Sequence, residues 1–204
     1  MYKTVKSDVI GELKQHISFS DWWESSIVKI PFFDDQELFI YFIHFNPEND
    51  KSFISEADKA LENFFKLNSK DRNDISELVY KNCTDFFDIT GFDEEVVEMF
   101  KQIKDPEAWH LNEIELGKLL HLTDVNDVWK SVQPKEVYIQ RREYNEKDIY
   151  VIVSCKCNWE DEHGLQLVFR QGKKLTRVSA NDDDVTDADA NNIPDSEDEL
   201  LSRF

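Results

Sequence analysis

Glycine is scarce in this chain: its 204 residues hold 5 glycines, 5 prolines and 3 cysteines. A phosphate-cradling loop needs backbone amides unhindered by side chains, and no stretch here has the glycines to build one. Neither a G-x-S-x-G nucleophile elbow nor an H-E-x-x-H pair occurs. The odd cysteine count gives no disulfide framework, and residues 1–11 mix lysine, aspartate and valine where a secretory signal would be apolar. Long hydrophobic runs are also missing. Leu38 to Phe45, the longest, is broken by His44 and is far shorter than the roughly 20 apolar residues that cross a bilayer. These absences set the expectation of a cytoplasmic protein without a membrane partner.

Aromatic residues and acid are plentiful. The chain is 40% hydrophobic and 13% aromatic, with 15 phenylalanines, enough to build an aromatic-rich core. Its net charge of −19 repels nucleic acid and suits cationic ligands, metal ions or a basic protein partner. The charge is uneven. Residues 1–134 carry 14 Lys/Arg against 27 Asp/Glu, residues 135–177 carry 9 against 7, and residues 181–199 carry 9 acids and no base.

Periodicity predicts an α+β fold. Residues 27–30 and 38–45 read as a hairpin around Pro31-Phe32-Phe33-Asp34-Asp35. The second strand is apolar on both faces, as a strand covered on both sides would be. Helical spacing follows in Ala57, Leu61, Phe64 and Phe65, then in Ile75, Leu78, Val79, Cys83, Phe86 and Phe87. Asp74 with Glu77 has the form of a capping box, and Asp93 that of the next helix N-cap. After Pro134 the period changes to two: Val137 and Ile139, then Ile149, Val151, Val153, Cys155 and Cys157, then Leu165, Leu167 and Phe169, with a further strand at 174–178. The expected organisation is one α+β domain over 1–180, with an N-terminal strand hairpin, a helical part at about 46–130 and an antiparallel β-meander at about 135–179. An acidic C-terminal tail spans 181–204.

That tail holds a candidate metal site. Asp187, Asp189, Asn191, Asp195 and Asp198 stand at positions one, three, five, nine and twelve, the donor spacing of a calcium loop. Asn192 replaces the usual glycine at position six, Pro194 sits at position eight, and Asp198 is shorter than the usual bidentate glutamate. Calcium is thus the one candidate cofactor, and none is otherwise expected. Cys155, Cys157 and His163 form a weaker zinc set lacking a fourth ligand, and buried cysteines filling a sheet face explain the same pattern. Glu160-Asp161-Glu162-His163 mixes carboxylates and imidazole but reads most simply as a turn before Gly164. No catalytic residues emerge. Lys135, Arg141, Arg142, Lys156, Arg170, Lys173, Lys174 and Arg177 cluster on the meander, and the adjacent acidic tail has the charge to fold back on them. Adjacent Trp22 and Trp23 would face opposite sides of a strand, which makes them candidate partner-binding residues, with core packing of both as the alternative reading.

Asp21-Trp22-Trp23 with Ile30-Pro31-Phe32-Phe33, and Asp148-Ile149-Tyr150-Val151 running into Cys155-x-Cys157-x-Trp159-Glu160-x-Glu162-His163-Gly164-Leu165-Gln166-Leu167-Val168-Phe169, resemble a family of uncharacterised bacterial proteins. The resemblance covers nearly the whole chain. It implies a domain of unknown function with toxin-immunity associations, and it brings no catalytic residues. The resulting expectation is a non-enzymatic acidic interaction protein, an immunity-type inhibitor of a basic effector. The alternatives are a calcium-binding module using the C-terminal loop, or an enzyme of unknown type.

Overall fold

The computed structural model describes residues 3–203. Nine strands form one sheet: β1 (Thr4–Ser7), β2 (Gly11–Gln15), β3 (Trp23–Glu24), β4 (Val28–Ile30), β5 (Gln36–Phe42), β6 (Val132–Arg141), β7 (Ile149–Cys157), β8 (Leu165–Arg170) and β9 (Lys174–Ser179). The order is β1-β2-β3-β5-β6-β7-β8-β9, with β4 beside β5. Every pairing is antiparallel except β5 with β6. A parallel pair needs a long crossover, and residues 43–131 supply it with α1 (Phe53–Phe64), α2 (Ser69–Asn73), α3 (Ser76–Thr90), α4 (Glu94–Lys101) and α5 (Ala108–Leu116). The α+β architecture follows.

The hairpin forms as its sequence predicts. Val28 pairs with Leu38, and Pro31–Phe33 make a single 3-10 turn closed by Asp34 and Asp35 in the left-handed region. The meander does likewise, with Val137 opposite Val153 and Val153 opposite Leu167. β1, β2 and β3 add a part that periodicity does not show.

The helices cover one face of the sheet, the inner face. In α1 the set Phe53, Ala57, Ala60, Leu61 and Phe64 is buried along one stripe. Phenylalanines interlock beneath it: Phe45 stacks on Phe53 with centroids 4.2 Å apart, and Phe169 lies 5.3 Å from both Phe32 and Phe64. The β8–β9 turn approaches α1 so closely that a Cβ on Gly172 would stand 1.9 Å from the Ala60 carbonyl oxygen. Capping at the second helical region differs from the Asp74–Glu77 expectation. The reciprocal box is Asn68 with Asp71 at the start of α2, which leaves Asp74 as its C-cap. Asp93 does cap α4, accepting from the Val96 amide at 3.0 Å.

The C-terminal segment is not a free tail. Residues 181–203 cross the outer sheet face as a strap containing α6 (Asp187–Asn191), with Val185, Ala188 and Leu201 buried. Thr186 caps α6 and Asn192 closes it in the left-handed region. Among the described residues, no helix is long and apolar enough to cross a membrane.

Candidate functional site

Alternation along the strands sends every second side chain to the outer face. On β5 these are Phe39 and Tyr41, opposite Glu136 and Tyr138 of β6. Ile40 and Phe42 point inward and are fully buried, whereas Phe39 and Tyr41 stay partly exposed. The strand expected to be covered on both faces therefore has helices on one side only.

Trp22, just before β3, completes a three-ring cluster. Its ring centroid lies 6.2 Å from Tyr41 and 5.7 Å from Tyr138, and the two tyrosines are 5.7 Å apart. Phe19 adds a half-exposed ring 5.0 Å from Trp22, stacked on His16 at 5.3 Å. Two carboxylates edge the cluster. Glu136 accepts the Tyr138 hydroxyl, and Glu24 lies beside Tyr41 across the β3–β5 pair. Burial, with Glu24 and Glu136 next to it, pushes the Tyr41 phenol up to about 12, and burial and Glu136 raise Tyr138 further. Both hydroxyls are therefore neutral donors at neutral pH, and the negative charge of this half of the face resides on the glutamates.

Adjacent Trp23 has the opposite role. It is 2% exposed and donates its Nε1 to the Phe45 carbonyl at 3.0 Å, so it is a core residue and not a partner-facing one. Trp22 alone of the pair reaches the open face.

On the other half of the outer face, the strap closes over Tyr150, Ile152 and Val168, which with Val185 form a small second core bordered by Tyr138. Two buried arginines hold it. Arg142, 1% exposed, binds Asp189 through Nε and Nη2, both at 2.8 Å. Its Nη2 and Nη1 reach the two Asp195 oxygens at 2.7 and 3.0 Å, and Nη1 also reaches Glu146 at 2.8 Å. Arg177, 4% exposed, binds Asp182 twice at 2.6 Å and Asp187 at 2.9 Å. Burial opposes each guanidinium charge, but the carboxylates overcome it and the net shift is upward. Arg142 in turn holds the Asp195 carboxyl below its ordinary range, while burial outweighs Arg177 at Asp187 and raises it.

The oxygen donors at calcium-loop spacing thus do not converge on one point. Asp189 and Asp195 face Arg142, and Asp187 faces Arg177. The Asp198 carboxylate receives the Ala188 and Leu201 amides at 3.0 and 2.8 Å. Asn191 donates its side-chain amide to the Asp187 carbonyl. The reason is local: residues 187–191 coil into α6, whereas a calcium loop must wrap its donors around the ion. Among the described residues, no group of three or more His, Cys, Asp or Glu is placed to hold a metal ion.

The zinc set is likewise apart. Cys155 and Cys157 face the helices on the inner side, and burial pushes the Cys83 and Cys157 thiols up to about 12 and Cys155 beyond. His163 stands exposed at the β7–β8 turn, beside Glu160, whose carboxylate receives the Glu162 and His163 amides. That carboxylate organises a turn. Of the basic residues on the meander, Arg142, Arg170 and Arg177 share the outer face. Arg141 points inward to Asp50 and Glu56 at 2.5 and 2.7 Å, and Lys156 stays exposed.

Tyr41, Tyr138 and Glu136 are the functional candidates that sequence reasoning missed. The available signal was Phe39 and Tyr41 at alternate positions of β5, two large rings on one face, one of them polar-tipped.

No curated protein and no solved structure matches this chain. The family model for a domain of unknown function, DUF6985, matches residues 9–185. That span includes the open aromatic half, both clamp arginines and Val185, and it ends as α6 begins. The chain belongs to the DUF6985 family.

Proposed function

We propose that this protein is a non-enzymatic interaction protein that receives a basic partner on the open half of its outer sheet face, in the manner of an immunity-type inhibitor of a basic bacterial effector. The carrying observation is the partly exposed cluster of Trp22, Tyr41 and Tyr138 edged by Glu24 and Glu136. Large rigid rings supply contact area at low entropic cost, and aromatic anchors dominate binding energy at interfaces. Arginine and lysine side chains of a partner would meet ring faces and carboxylates together, where cation–π attraction adds to the ion pair. The net charge of −19 adds a long-range pull that speeds encounter with a cationic surface and weakens with salt.

The test is a quantitative binding assay between the full chain and the product of the neighbouring gene, with Trp22→Ala and Glu24→Lys/Glu136→Lys compared with a distant reversal, Glu94→Lys/Glu95→Lys on α4. Expected are losses of at least about 30-fold in affinity for the first two, which corresponds to roughly 2 kcal/mol, and a small effect for the α4 control. Equal losses at both places would show that charge alone, and not this face, makes the contact.

A further inference from the structure

We infer that the groove under the strap is a binding site for acidic segments, occupied in cis by residues 181–203, and that an acidic segment supplied in trans can take the strap's place. Outside the strap itself, the sheet supplies the floor and walls of the groove. Its floor is Tyr150, Ile152 and Val168 on paired strands, and its basic walls are Arg142 and Arg177, at the end of β6 and on β9. All of these lie within residues 9–185, the span the family match covers, together with Asp182 and Val185 at the start of the strap, whereas Asp187, Asp189, Asp195 and Asp198 lie beyond it.

The seated strap shows the chemistry the groove selects. Two carboxylates are taken as bidentate pairs, Asp189 and Asp195 on Arg142, and a third, Asp182, spans two nitrogens of Arg177. One aliphatic side chain, Val185, fills the apolar floor between the two arginines. Gln166 adds a fixed polar contact, donating to the Asp182 carboxylate and the Asp184 carbonyl at 3.0 and 2.9 Å. A ligand of this class is a peptide with a carboxylate pair on each side of a small aliphatic residue.

The strap's attachment is of an exchangeable kind. It contributes no strand to the sheet, so no ladder of backbone hydrogen bonds has to break for it to leave. It is held by side chains, and a cleft of about 850 Å³ lies between α6 and the β6–β7 turn, lined by Tyr144, Asn145, Glu146, Asp189 and Asp195 among others. Once lifted, the strap leaves Arg142 and Arg177 to water and not in a dry core, so their desolvation cost is relieved as their partners depart. An attached ligand nevertheless acts at an effective concentration on the order of millimolar, which keeps the groove closed to weak acidic peptides in the intact chain.

The experiment uses the full chain and a fluorescent peptide of residues 181–204. The peptide is titrated into the wild-type chain and into Asp189→Asn/Asp195→Asn, which weakens the cis strap but leaves the groove intact. Expected is at least about tenfold tighter binding to the variant, as removal of an intramolecular competitor requires, with loss of binding when the peptide carries the same two substitutions or the chain carries Arg142→Gln. Equal binding to the wild-type and variant chains overturns the inference, as does no binding to a folded variant. Should the variant not fold, a wild-type chain with a protease site inserted between Ala180 and Asn181 is cleaved and challenged with the labelled peptide. Exchange of the nicked strap for the peptide supports the inference, and a nicked strap that never exchanges overturns it.

Discussion

One half of the outer sheet face is open and the other is strapped, and each carries aromatic residues beside charge. On the open half, Trp22, Tyr41 and Tyr138 meet Glu24 and Glu136, and Lys14 stands opposite Glu24 on the neighbouring strand. On the strapped half, Tyr150, Ile152 and Val168 meet Arg142 and Arg177, and an acidic segment of the same chain lies over them. The sign of the charge decides the outcome. A chain of net −19 has acid to spare for covering its own arginines, whereas on the open half only Lys14 stands opposite one of the two half-buried glutamates. Intramolecular pairing satisfies the basic half, and the acidic half is where we propose that a partner binds.

The comparison can be broken most sharply at Arg142. Replacing it with leucine removes the shared partner of Asp189, Asp195 and Glu146, and because Asp195 is 40% exposed and the strap can open to water the loss stays below the roughly 3–5 kcal/mol of a fully buried pair. Hydrogen exchange should report that loss first at the Ala188 and Leu201 amides, which the strap's Asp198 accepts. Amides of Val153 and Leu167 on the inner side should keep their protection. Uniform loss across both sets would mean that strap and sheet unfold as one unit.

Trp22→Ala is the counterpart on the open half. It removes a ring with partial exposure and no hydrogen bond to the core, so the expected stability loss is about 1 kcal/mol, well below the roughly 3–5 kcal/mol of a buried aromatic truncation. Trp23→Ala should fall in that larger range, since Trp23 is buried and bonded to Phe45. Comparable melting-temperature shifts for the two would contradict the assignment of one tryptophan to the surface and one to the core.

Acid separates the clamps. Asp195, and also Asp50 and Glu56 on Arg141, have folded-state pKa values lowered by their arginines. Their stabilisation is complete above the ordinary carboxylate range near pH 4 and is lost as pH falls through the lowered folded values. Asp187 has the opposite sign: burial raises it, so the folded strap takes up that proton more readily than the unfolded one and gains relative stability as pH falls. The strap should therefore remain closed through mildly acidic pH and open only below about pH 4. Exchange of the Leu201 amide against pH checks this, and opening near pH 6 would contradict it.

The smallest effect is spectroscopic. Glu24→Gln should lower the ionisation midpoint of Tyr41 from about 12 toward the ordinary phenol value, assigned by difference against Tyr41→Phe. An unchanged midpoint would place Glu24 too far from the ring to edge a cation site.

Much of the fold was legible because its signals are local. The 28–42 hairpin has a short strand and a continuous apolar strand on either side of a proline turn, and the meander repeats period two through Ile149, Val151 and Val153. β1 and β2 were not legible: Thr4–Ser7 and Gly11–Gln15 are short and mostly polar, and only Leu13 and Ser7 are buried along them. The aromatic site was half legible. Trp22 stood out as one of a pair, but its neighbours come from residues 41 and 138, joined by a parallel pairing across the whole helical crossover. Nothing in the chain near Trp22 names them.

By itself, the sequence determined the α+β class, the acidic surplus and the presence of oxygen donors at regular spacing near its end. Only the tertiary structure decided what those donors do. A spacing that serves a calcium loop also serves a strap whose carboxylates pair first with Arg177 and then with Arg142, and the choice depends on whether residues 187–191 wrap or coil and on what lies beneath them. Here they coil, and beneath them the sheet presents Arg142 and Arg177. A guanidinium held in place donates to carboxylates in planar pairs, so the position of the arginines in three dimensions, invisible in the order of residues, set the role of the acidic end.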